Sequence, residues 1–88
     1  MPKLGLDPEA LSALQRQFKA DSVAIKSLTA KLDGLLKAAW WEGPDATRFR
    51  SDWDGVHKSQ LARISAELDT AAKNVATNVA QQQQASSG

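Results

Sequence analysis

With 88 residues the chain has room for one small domain, which buries only a modest fraction of its surface. Charge is nearly balanced, 11 Lys and Arg against 10 Asp and Glu, so there is no basic footprint for a phosphate backbone and no nucleic-acid partner is expected. The lack of cysteine excludes disulfides, thiolate nucleophiles and cysteine zinc sites, and no run nears the ~20 apolar residues that span a bilayer, so no stable membrane insertion is expected.

Residues 1–7 lack the basic patch and apolar core of a secretory leader. The expectation is a protein made in the cytoplasm and, if secreted, exported without a cleaved signal peptide. The first helix signal is Asp7-Pro8-Glu9: Asp7 accepts from orphan amides, Pro8 suits the first helical position and Glu9 complements the positive helix end. Apolar residues then fall at Leu11, Leu14, Phe18, Ile25, Leu28, Leu32, Leu35 and Ala39 in steps of three and four, interrupted only by Asp21. This seven-residue period predicts a helix over about 8–40 with a seam facing another helix. Ala10, Ala13, Ala20 and Ala24 widen the face beyond what one partner helix covers, and Gly34 inside the helix costs about 1 kcal/mol relative to Ala.

The segment Trp41-Glu42-Gly43-Pro44-Asp45 predicts a tight turn over 41–44, in which Gly43 supplies backbone freedom and Pro44 opens the next helix. Two helices so joined lie antiparallel. The second, over about 45–80, carries Ala46, Phe49, Trp53, Leu61, Ile64, Leu68, Ala71 or Ala72, Val75 and Val79. Between Trp53 and Leu61 the register slips by a step at Gly55, the sequence form of a stutter. Four-residue offsets join Arg48 to Asp52, Arg50 to Asp54, Arg63 to Glu67 and Asp69 to Lys73, which reads as a solvated face. From Gln81 the chain turns polar, and 81–88 is expected to be a disordered tail. The fold expected is all-α: one hairpin over 1–80, too thin to bury its own apolar face and therefore assembling as a dimeric four-helix bundle.

No constellation for catalysis stands out. His57 is the only histidine, beside Trp53 and Leu61 with no second imidazole or thiol to assist it. Asp52 and Asp54 lie two apart on a helix and point in different directions, and the isolated Gly34, Gly43 and Gly55 match no phosphate-loop fingerprint. The chain is expected to be no enzyme and to need no metal or cofactor.

The Trp41-Glu42-Gly43 turn, midway along a two-helix chain of this length, resembles the WXG family, the early-secreted-antigen-like substrates of type VII (ESX-like) secretion. The likeness extends to Ala46, Phe49 and the later Trp53, and the Gly43-Pro44-Asp45-Ala46 and Arg48-Phe49-Arg50 segments resemble actinobacterial members in particular. It implies a non-catalytic secreted protein, exported as a folded dimer by a membrane-embedded secretion ATPase, with Trp41 and Gly43 in the export-recognition turn. The apolar spacing of the two helices assigns the interface, within the hairpin or between subunits, to Leu11, Leu14, Phe18, Ile25, Leu28, Leu32 and Leu35 with Phe49, Trp53, Leu61, Ile64 and Leu68. Family members complete the signal with a C-terminal Tyr-x-x-x-Asp/Glu, and this chain has no tyrosine. A homologous WXG-family subunit carrying that tail is therefore the expected partner, a heterodimer being favoured over a homodimer. Asp21, polar at a seam position, either pairs with a cation on the partner or points to solvent. The alternatives are a cytoplasmic adaptor bundle that stays in the cell and a membrane-active effector.

Overall fold

A computed structural model describes residues 5–87. Helix α1 runs Pro8–Ala38, α2 runs Pro44–Asp52, a π-helical turn occupies Trp53–His57 and α3 runs Lys58–Ser87, so the second arm is one continuous rod with a local change of pitch. Among the described residues every regular element is helical. The two arms lie side by side as an antiparallel hairpin 67 Å long and 19 by 17 Å across.

The ends of α1 follow the expected chemistry. Asp7 Oδ1 accepts from the backbone N–H groups of Glu9 at 3.0 Å and Ala10 at 3.3 Å, and Pro8 takes the first helical position. The helix stops at Ala38, one or two residues before the expected end, because Ala39 turns to extended backbone. At the far end α3 passes the predicted stop at 80 and carries the glutamine run to Ser87, where a disordered tail was expected. Glutamine is a good helix former, and an arm already wound carries it on at little cost.

The stutter is a π turn. The Lys58 N–H bonds to the Trp53 carbonyl five residues back, and one residue is thereby inserted into the helical register. In a regular α-helix residues five apart diverge by about 140°. The wider turn brings Trp53 and Lys58 toward one side, and both donate to Oδ1 of Asp33 on α1, at 3.0 and 3.2 Å. Lys37 holds the other carboxylate oxygen at 2.9 Å.

The centre of the seam is polar and small. Ser22 and Ser65 are fully buried against each other, their hydroxyls 2.8 Å apart; Ser22 Oγ donates to the Ser65 carbonyl and Ser65 Oγ to the Ser22 carbonyl, or one hydroxyl donates to the other. Such short side chains let the helices approach closely while leaving no buried side-chain nitrogen or oxygen unpaired among the described residues. Ala72 and Ala46 are the other small buried positions, and Trp53 is the one large buried apolar side chain among the described residues.

Little else is hidden. The chain exposes 6814 Å², whereas a compact monomer of 9.5 kDa is expected to expose about 5000 Å². Its radius of gyration is 19.8 Å, against about 12 Å for a globular domain of this length. No helix among the described residues is long and apolar enough to cross a membrane.

Candidate functional site: the bend and the apolar flank

At the bend, four residues from Ala39 to Glu42 leave the helix, and Gly43 redirects the chain with φ 118° and ψ 176°. That backbone region is open essentially to glycine alone. No neighbouring atom lies within 4 Å of where a Cβ would stand, so the demand for glycine is conformational and not steric. The Gly43 carbonyl then accepts from the Thr47 N–H at 3.0 Å and the Thr47 hydroxyl at 3.2 Å, starting α2.

Arg50 ties the bend together. Its Nη1 donates to the Trp41 carbonyl at 2.7 Å, and its Nη2 donates to the carbonyls of Leu36 and Ala39, each at 3.1 Å. Leu36 and Ala39 lie at the end of α1, where the helix leaves its last acceptors unpaired and carries partial negative charge, and Trp41 lies in the bend beyond it, so one fixed guanidinium caps the helix and holds the bend. The expected pairing of Arg50 with Asp54 gives way to this cap: Asp54 pairs with Lys58 at 3.5 Å, and Asp69, expected to meet Lys73, reaches across to Lys26 on α1 at 3.6 Å. Offsets along one helix cannot foretell contacts supplied by the other.

The same guanidinium stands 5.9 Å from the Trp41 ring centroid, and Phe49 packs on that ring at 5.5 Å with the planes tilted by 49°. Both are favourable aromatic geometries. Trp41 is thus held in place yet remains 41% exposed, and the neighbouring Trp40 is 90% exposed. The bend presents a pre-set aromatic surface and not a core.

Asp33, behind the bend, has its carboxyl held well below the usual carboxylate range by the hydrogen bond from Lys37, then by those from Trp53 and Lys58. Asp33 in turn raises the Lys58 ammonium above its ordinary value. A carboxylate engaged by three donors is spent as a base, and the shallow groove of about 320 Å³ beside it, lined by Ile25, Lys26, Thr29, Lys58, Leu61 and Ser65 among others, adds no second carboxyl. Among the described residues no group of three or more His, Asp or Glu is placed to hold a metal ion, and His57 sits exposed in the π turn.

The predicted interface residues divide into two sets. Leu11, Phe18, Ile25, Leu61 and Leu68 are half-buried in the hairpin seam and Trp53 is buried, whereas Leu14, Leu28, Leu32, Leu35, Phe49 and Ile64 are exposed by 41 to 58%. At about 100° per residue, measured from the buried Ser22 and Ser65, Lys26 and Asp69 project to one side of the seam. Leu14, Leu28 and Leu32 on α1, and Ile64 and Val75 on α3, project to the other. One edge of the hairpin therefore closes with an ion pair and the opposite edge is a continuous apolar flank. Of the alanines that the sequence pattern assigns to the widened face, all exposed, Ala13, Ala20 and Ala24 lie toward the back of α1 and Ala10 lies in line with Leu28 on the apolar flank. Ser22, Ser65, Asp33 and Arg50 are structural residues that no apolar periodicity marks, since each is polar and acts through a partner more than ten residues away. No family model, curated protein or solved structure matches the chain.

Proposed function

We propose that the protein is a non-catalytic substrate of a type VII (ESX-like) secretion system. In this reading it leaves the cell folded and paired, and the secretion ATPase reads the pair in part through the Trp41-Glu42-Gly43 bend. The observation that carries this reading is the bend itself: a Trp-x-Gly at the tip of an antiparallel hairpin, its glycine in a conformation few other residues adopt and its tryptophan braced but accessible. The apolar flank supports pairing into a four-helix bundle. The chain exposes roughly 1800 Å² more than a compact monomer, above the ~800 Å² that each partner gives to a standard interface. The subunit that shares the bundle is a related hairpin bearing the C-terminal Tyr-x-x-x-Asp/Glu mark, since this chain has no tyrosine.

Trp41→Ala tests the bend. The secreted fraction is expected to fall sharply in a host with a working type VII system, while circular dichroism of the purified variant keeps its helical signal. Unchanged export would remove the recognition role, and collapse of the helical signal would assign Trp41 to the core. The apolar flank would serve an intracellular adaptor equally well, and retention of the wild-type chain inside intact cells of that host would favour the adaptor. Release of dye from vesicles at neutral or acidic pH would favour a membrane-active effector.

A further inference from the structure

The apolar flank contains a single charge. From Leu11 to Leu32 on α1 and from Leu61 to Gln82 on α3, the side chains within about 120° of the seam on that side are Leu, Ile, Val, Phe, Thr, Ala and Gln, with one exception, Asp21; Glu67 lies beyond them, toward the back of α3. It falls one heptad from Leu14 and one from Leu28, in line with the exposed leucines. Its carboxylate is not drawn into the hairpin: its hydrogen bond comes from Gln17 Nε2 on its own helix, at 2.7 Å, and the side chain is exposed. Of the cations on α1, Arg16, Lys19, Lys26 and Lys37 project from the other side of the seam and Lys31 from the back of the helix.

This arrangement bears on which partner the flank accepts, and it rests on the pairing reading above. Neither α1 nor α3 of a second copy brings a lysine or arginine to the contact, since on α3 Lys58 and Lys73 project to the ion-paired side and Arg63 to the back. Set parallel, two copies place Asp21 against Asp21; set antiparallel with Leu14 opposite Leu35, they place Asp21 against Leu28. Either way a carboxylate leaves water without a counter-charge, which is strongly unfavourable, whereas a lysine or arginine at the facing position turns the same group into a directional contact. We infer that Asp21 is the specificity determinant of the flank: it disfavours self-pairing and selects a different amphipathic helical partner whose apolar face carries one Lys or Arg opposite it.

The test uses the full chain in two parts. Sedimentation equilibrium compares self-association of the wild type with Asp21→Leu and Asp21→Asn, whose helicity is checked by circular dichroism. Asp21→Leu is expected to self-associate about tenfold more tightly than the wild type or better, with Asp21→Asn between them. In the second part the probe is a differently tagged copy of this chain with Leu14, Leu28, Leu32 or Leu35 replaced singly by Lys. At least one such copy is expected to bind the wild type about tenfold more tightly than the wild type binds itself, and to lose that gain against Asp21→Leu. A wild-type homodimer as tight as that of Asp21→Leu, or no gain at any lysine position, overturns the role of Asp21 and leaves pairing intact. Failure of Asp21→Leu and of every lysine copy to associate at all overturns pairing through the flank, as does binding of the wild type to anionic phospholipid vesicles in preference to any chain.

Discussion

The two edges of the hairpin are made from the same helices and end differently. On one, Lys26 meets Asp69 and, nearer the bend, Asp33 gathers Lys37, Trp53 and Lys58, so polar groups find partners within the chain. On the other, leucines and an isoleucine remain about half exposed with nothing from the chain to cover them. The first edge is complete as a monomer. The second has the chemistry of an interior and the position of a surface, the feature on which the proposed pairing rests.

The contrast breaks most severely at Trp53. Trp53→Ala removes the one large buried side chain among the described residues and a donor to Asp33, and is expected to destabilise the chain by about 3 to 5 kcal/mol in urea unfolding, enough to unfold a domain this small. Gly43→Ala strains the bend without a clash, and about 1 to 3 kcal/mol should be lost in the same measurement. A loss below about 0.5 kcal/mol would mean that the bend relaxes to another path.

Acid probes the completed edge by a different route. Because the Asp33 carboxyl is depressed in the fold, its contribution is fully present above the unfolded value of about 3.9 and is lost as pH falls through the lower folded value. Unfolding midpoints measured from neutral pH downward should therefore keep this contribution until about pH 4, and Asp33→Asn should flatten the acid limb. A variant with the wild-type acid profile would show that the three donors do not hold Asp33 in solution. The smallest effect on folding is expected on the open edge. Leu28→Gln, at a position 57% exposed, should change the stability of the isolated chain by about 0.5 kcal/mol or less while weakening any complex formed through the flank. A larger loss in the isolated chain would move Leu28 into the hairpin's own core.

Much of this was legible in the residues because it is local. The Asp7 cap, Pro8 and Pro44 at the first helical turns, Gly43 at the bend and the slip after Trp53 each act within a few residues of themselves. Helix type and turn position therefore follow from spacing and composition alone. The length of α3 did not, because polar composition argues for solvation and says less about whether an existing helix stops.

What only the tertiary structure decided is which part of the apolar stripe faces inward. Periodicity marks every apolar position on α1 equally, but the helices meet through Ser22 and Ser65, whose small size permits close approach and whose hydroxyls satisfy each other. That contact rotates Leu14, Leu28, Leu32 and Leu35 outward, and sends Arg50 and Asp33 to partners across the hairpin. A pattern along one helix records how much apolar surface there is. The side on which it is buried depends on the pair of helices, where the shortest side chains set the line of contact.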